Sequence, residues 1–321
     1  MKTFDQKTID STGAFLTNEL IRLDPELQKP MMDFKYARDV DITPLDVEDE
    51  QTAYDVLAYR AVGGKNPAGK SFISEKTDQI GTVGVDKERK HAGTFLWAEA
   101  IRVGIIELGK AERLGRGLEP EMFDALQTKF NLDSNLQVYT GDDDAAIKGL
   151  INHAGITVDI LANNAAGTSK LHTLKSDQEV VADINRIITN AWVATGSTIC
   201  PKRLSISPLY MSYLVGRMIA NNTVSLLEFI KKNTVCNTEN GCDLEIVTVP
   251  TLANSGVGST DRMMVHTKRK DIVRWPRSPL LSTPVQYVDL CQKTIYYARF
   301  GTVEWIKPEA ARYADGHFTS A

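Results

Sequence analysis

An α+β fold is predicted by three features of the sequence. Apolar and polar residues alternate in pieces such as TAYDVLAYRAV (Thr52–Val62), the period of a half-exposed strand. Elsewhere apolar residues recur at three- and four-residue steps, as in Val180, Val181, Ile184, Ile187 and Ile188, the period of a helix packed on one face. The parts also follow in blocks: a short arm, a hairpin, helices, a mixed region and a closing run of strands.

Composition excludes several classes of function. The chain has 321 residues, 42% hydrophobic and 24% charged, enough apolar material for one large or two modest cores. A net charge of -4, from 37 Lys+Arg and 41 Asp+Glu, argues against a tight grip on nucleic acid through its phosphates. Apolar runs fall short of the ~18 residues needed to cross a bilayer, so no membrane partner is expected. The opening MKTFDQKTID has no signal-peptide core, and secretion is not expected. Four cysteines make no disulfide framework, and the spacing of Cys236 and Cys242 misses that of zinc sites. Five scattered histidines form no i, i+4 pair, and no metal site is expected.

Residues 1–45 read as an N-terminal arm. Phe15, Leu16, Leu20, Leu23 and Leu27 mark a short amphipathic helix that ends at Pro25 or Pro30 and needs another surface to cover it. Residues 46–93 read as an extended β-hairpin with the tip GGKNPAGK (Gly63–Lys70), a loop by composition. From Thr94 the pattern turns helical, with Trp97, Ile101, Ile105 and Leu108 on one face up to Gly109. A second helix is predicted over about 119–131. Pro120 suits its first turn, Glu119 and Glu121 its positive dipole end, and Met122, Phe123, Leu126 and Phe130 form its stripe. NLQVY (Asn135–Tyr139) reads as a strand, followed by an acidic turn and a glycine-punctuated loop.

Residues 161–290 read as a mixed domain. Ser176 and Glu179 form a capping box ahead of a strong helix. Arg203–Ile206 is a strand, a helix follows Pro208, and Thr223 is placed to cap another through Leu227 and Ile230. Asp243–Val249, Met263–Thr267 and Ile272–Trp275 are further strands, and YVDLCQKTIYYARFGTVEWIKP (Tyr287–Pro308) reads as paired strands.

Gly64-Lys-Asn-Pro-Ala-Gly69-Lys70-Ser71 fits the phosphate-loop pattern GxxxxGK[ST]. That loop works between a buried strand and a helix whose N-terminus helps to hold the anion. Here the preceding strand alternates, and the following segment carries Gly81, Gly84 and several β-branched residues. A strand ending in a magnesium-binding Asp is also missing, ITVD (Ile156–Asp159) being too short. Asp142–Asp144 lacks the alternation of a calcium loop, and GTSK (Gly167–Lys170) and GSTD (Gly258–Asp261) have no His at a triad-like spacing. No catalytic, cofactor-binding or metal-binding residue is therefore assigned, and no enzyme activity or cofactor is expected.

The order of parts resembles the major capsid protein of tailed phages, the Hong Kong 97 type fold shared with encapsulin shells. The segments Ala68–Asp86, Ile147–Val158 and Ala298–Gly316 resemble a sparsely characterised branch of that family, and VVADINRIITNAW (Val180–Trp192) and SLLEFIKKN (Ser225–Asn233) sit where it keeps its second-domain helices. The chain departs from that branch at Gln79-Ile80-Gly81, where a proline is usual. The resemblance implies an arm (1–45), an extension loop (46–93), a peripheral domain (94–160 and 291–321) with its spine helix near 119–131, and an axial domain (161–290). It implies a viral structural protein that self-assembles as a homo-oligomer into hexamers and pentamers of an icosahedral head around double-stranded DNA, assembled in the host cytoplasm and residing in the virion. Portal, scaffold and decoration proteins are the further partners it implies, with non-specific contact to packaged DNA. It also explains the nucleotide-loop match as part of the hairpin, with Lys65, Asn66 and Lys70 as solvated tip residues. The alternatives are a P-loop NTPase using Gly64–Ser71 and an encapsulin-like nanocompartment shell.

Overall fold

A computed structural model describes residues 33–62, 82–113, 118–143, 145, 147–219 and 224–318. The chain divides into two units, Met1–Asp33 and Phe34–Ala321, and all the described helices and strands belong to the second. The predicted arm helix and the hairpin tip lie outside the described residues.

A short helix α1 (Tyr36–Asp39) leads into strand β1 (Asp41–Pro44), then β2 (Gln51–Val62) and the 23-residue β3 (Thr82–Gly104). Helices α2 (Ile105–Arg113) and α3 (Leu118–Tyr139) follow, with the small strands β4 (Gly141–Asp142), β5 (Ile147–Lys148) and β6 (Thr157–Asp159). Next come α4 (Asp177–Ala194), β7 (Arg203–Ile206), α5 (Pro208–Gly216), α6 (Leu226–Lys232), α7 (Val235–Asn240), β8 (Glu245–Thr248) and β9 (Arg262–His266). The chain then returns through β10 (Val273–Arg277), β11 (Leu281–Ser282), β12 (Gln286–Val288), β13 (Cys291–Gly301), β14 (Glu304–Trp305) and β15 (Arg312–Asp315).

Two sheets organise these elements. A long sheet runs β1-β10-β13-β3-β2, with β11, β12 and β14 attached to it. A five-stranded mixed sheet runs β6-β15-β9-β7-β8. Period-two alternation sends the five-stranded sheet's side chains into two cores. Leu204, Ile206, Met263 and Val265 face α4 and α5, while Met264 and Tyr313 face a second core containing Phe130, Trp275 and Phe300. Helix α4 fills the first core with Val180, Ile184, Ile187, Ile188 and Ala191, all fully buried. The Ser176 hydroxyl accepts from the Glu179 amide while the Glu179 carboxylate accepts from the Ser176 amide, the predicted capping box.

The structure corrects several expectations. Residues 94–104 are strand, not helix. Trp97 and Ile101 are four apart, a spacing that suits both periods, and pairing with the β-branched and aromatic β13 decides for the strand; helix begins only at Ile105. NLQVY is helical, because α3 runs to Tyr139. Leu126, Phe130, Ser134 and Val138 form one buried row at four-residue steps, and the polar Ser134 and Asn135 masked it in the sequence. The cap of α6 is Ser225, whose hydroxyl accepts from the Glu228 amide. Residues 273–277, read with the mixed domain, pair with the long sheet through β1, β13 and β14.

Candidate intersubunit surface

Strand β3 changes partner halfway along its length. Its first part pairs antiparallel with β2, from Val62↔Thr82 to Gln51↔Gly93. From Thr94 it pairs with β13, from Gly301↔Thr94 to Cys291↔Gly104. The first part is thus a two-stranded ribbon of twelve residue pairs, about 40 Å long at ~3.3 Å per residue. Side chains 82–91 of β3 are all exposed. Register puts Leu57, Val83 and Val85 on the same face of the ribbon, where they are 49%, 77% and 52% exposed. A two-stranded ribbon is marginal alone in water, and an apolar stripe on it raises the cost of leaving it uncovered.

The base of the ribbon is anchored, and among the described residues no tie to the body is seen farther out. The Thr52 hydroxyl donates to buried Glu304 (2.5 Å), which also pairs with Arg274 at 2.6 Å. Arg274 lies over the Tyr54 ring, and the Tyr54 hydroxyl donates to the Trp305 carbonyl at 3.4 Å. Arg299 reaches the Asp49 carbonyl at 2.8 Å. Farther out, Arg89 and Asp55 pair across the ribbon at 2.7 Å, and both are exposed. At the opposite end of β3, an open groove of about 560 Å³ lies between α3 and the sheet, lined by Ile101, Val103, Phe123, Val285 and Tyr296.

The segment that enters from the arm is fixed by a buried charge network. Asp39, fully buried, accepts from Arg38 (2.7 Å), from Arg203 (3.1 Å) and from the Tyr139 hydroxyl. Arg203 also donates to the Arg38 carbonyl (2.6 Å) and to Glu245 (2.7 Å), and His266 meets the Asp39 carbonyl at 3.2 Å. Burial works to raise the Asp39 pKa, but hydrogen bonds from Arg38 and Tyr139 outweigh it and hold the carboxyl below its ordinary value. Burial also pushes the Tyr139 phenol well up and lowers His266 to about 4. The Asp39 carboxylate and main-chain carbonyl together tie α1, the end of α3 and strands β7 and β9 to one another.

Two of the segments that carry the family resemblance meet at one junction. Gly149 packs where a Cβ would come within 2.3 Å of the Tyr139 carbonyl, and Gly141 adopts φ +71°, so the turn after α3 admits only glycine at both positions. The Tyr313 hydroxyl donates to the Leu150 carbonyl (2.5 Å), and Arg262 bridges the Ile151 carbonyl (2.6 Å) to Asp315 (2.7 Å). The loop 147–158 and the tail 298–316 are therefore bonded partners.

The family model for the major capsid protein matches residues 69–316. The chain belongs to the major capsid protein family. Solved structures agree on the fold. The capsid of Myoviridae phage XM1 superposes with a TM-score of 0.73 at 14% identity, covering 93% of this chain and 97% of that one. A structure from Microbacterium phage Oxtober96 gives 0.62 at 12% identity, covering 96% and 99%. One from Gordonia phage Cozz gives 0.58 at 14%, covering 96% and 94%. These likenesses show the Hong Kong 97 type fold. No curated protein matches the sequence.

As a capsid subunit, the chain uses its sequence motifs differently from their face value. Gly64–Ser71, with Lys65, Asn66 and Lys70, lies outside the described residues. The strand leading into it is a half-exposed antiparallel member of the ribbon and not a buried parallel strand. Asp142 sits in the small β4–β5 hairpin, and Asp143 takes an exposed ion pair with Lys148 at 2.7 Å. Among the described residues no group of three or more His, Cys, Asp or Glu is arranged to hold a metal, and no helix is long and apolar enough to cross a membrane. Asp261 of GSTD is buried and accepts from Ser207 at 2.5 Å. Sequence reading passed over His172 and His317, which are 145 positions apart yet have ring centroids 5.5 Å apart in the core. Neither histidine belongs to a periodic or spaced pattern, so no sequence signal joins them.

Proposed function

We propose that this capsid subunit tiles as hexamers and pentamers into an icosahedral head around double-stranded DNA, and that the ribbon is the limb by which each copy lies across its neighbour. The division follows: 46–93 as extension loop, 94–160 with 291–321 as the peripheral domain around spine helix α3, and 161–290 as the axial domain packed about the local symmetry axes, its border to be probed at 273–288. The observation that carries this reading is the ribbon, whose exposed apolar stripe finds no cover on its own described chain. Repeated heterologous contacts of that kind close into rings, and rings into shells. A net charge of -4 suits a container that encloses DNA through weak, non-specific contact. Assembly is placed in the host cytoplasm, with portal, scaffold and decoration proteins as further partners.

Size-exclusion chromatography with light scattering, followed by negative-stain microscopy, tests it. Capsomers or closed shells are expected; a monodisperse monomer at high concentration would refute the reading. The subunit performs no nucleotide chemistry on this view. Purified shells should show no ATPase, and Lys70→Ala should leave that unchanged.

A further inference from the structure

Residues 316–318 are built into the first core rather than laid on its surface. The His172 amide donates to the His317 carbonyl at 2.8 Å, and the Asp261 amide donates to the Phe318 carbonyl at 3.2 Å. The Phe318 ring packs against Tyr210 (5.6 Å) and Tyr213 (5.9 Å). His317 is fully buried with its ring edge-on to Tyr210 at 4.5 Å, and among the described residues neither ring nitrogen has a well-aligned hydrogen-bond partner. A buried imidazole without partners tolerates only its neutral form.

Its surroundings sharpen that demand. From the turn before α4 come His172, also fully buried, and the ammonium of Lys175. His172 has Tyr210 at 2.5 Å on one nitrogen and the Asp183 carboxylate at 3.3 Å beyond the other. Asp183 is already engaged by Lys175 and by Arg186 (3.1 Å), both on or beside α4. From the end of α5, Arg217 donates to the His172 carbonyl (3.0 Å) and pairs with Asp177 (2.5 Å). On the strand side, Asp261 is held by Ser207, and Asp315 by Arg262. The carboxylates near His317 are thus committed elsewhere, while a second imidazole and an ammonium lie close. Burial first, then His172 and, more weakly, Lys175 keep the His317 imidazole well below its ordinary value, against an opposing pull from the Asp261 main chain. Burial also lowers His172, with Asp183 opposing.

We infer that Gly316–Phe318 is an acid-released latch, in which the neutral His317 side chain plugs the core and its protonation expels the segment to solvent. The inference concerns the subunit itself and stands whether or not it tiles as proposed. The sign follows from linkage. The released segment takes up a proton below about pH 6.5 and the docked one does not, so docking is complete above that value and weakens as pH falls.

Amide hydrogen exchange on the full-length protein, corrected for intrinsic rates, reads the latch through the His172 and Asp261 amides. The opening constant should rise about tenfold per pH unit below 6.5, or about 30-fold at pH 5, while amides of Leu204 and Ile246 in the sheet stay unchanged. His317→Leu should remove that slope; where it fails to fold, His317→Gln serves, being neutral at both pH values. Equal protection at pH 7.5 and pH 5 in the wild-type protein, or an undiminished slope in the folded variant, would overturn the inference.

Discussion

The five-stranded sheet and the ribbon are built from similar strand chemistry, yet they solve opposite problems. Every residue of β7 and β9 is buried, because α4 and α5 cover one face and the Trp275 core covers the other. The ribbon leaves Leu57, Val83 and Val85 in solvent, and among the described residues its ties to the body lie at its base. One region covers its apolar surface within the chain, and the other leaves its apolar stripe uncovered by the described residues. Substitutions should therefore separate cleanly into those that damage the subunit and those that damage only its assembly.

The largest effect is expected in the buried network. Arg203→Met strands Asp39 without one of its partners and should cost about 3–5 kcal/mol, measured by urea unfolding of the free subunit. Ile188→Ala opens a cavity in a fully buried row and should cost about 2–5 kcal/mol in the same assay. Both changes should lower assembly only as a consequence of unfolding. Asp39, whose carboxyl is held below its ordinary value, contributes stability that is present above about pH 4 and lost as pH falls through its folded pKa. The unfolding midpoint of the wild-type subunit should fall on that acid side, and Asp39→Asn should be less stable at pH 7 with a flatter acid limb.

A smaller effect is expected at the helix cap. Ser176→Ala removes one half of the capping box and should cost about 1 kcal/mol. Smallest of all for the free subunit is Leu57→Asp with Val85→Asp. These exposed positions should change unfolding by less than about 0.5 kcal/mol while abolishing capsomers in light scattering. A double variant that assembled normally would break the contrast between the two regions.

Much of the architecture was legible because its periods are clean. Val180 to Ile188 declared α4 and its buried face, and TAYDVLAYRAV declared a ribbon strand whose alternation survives over residues 51–57. The stretch 94–104 was misread because Trp97 and Ile101 satisfy both periods, and only β13, two hundred residues away, decides between them. The length of α3 was hidden by Ser134 and Asn135, although Ser134 belongs to a row that is buried regardless. The Asp39 network and the His172–His317 pair left no trace in the sequence, since each is assembled from segments a hundred or more positions apart. The capsid family was legible through resemblance and not through any motif, the one letter-perfect motif being the misleading Gly64–Ser71.

Amide hydrogen exchange of the ribbon, compared between free subunits and assembled particles, tests the central claim most directly. Strands 51–62 and 82–93 should exchange readily in the free subunit and become protected by at least about 100-fold on assembly, while residues 203–206 and 262–266 remain equally protected in both. Ribbon protection that is already complete in the free subunit, and unchanged in the particle, would contradict the account.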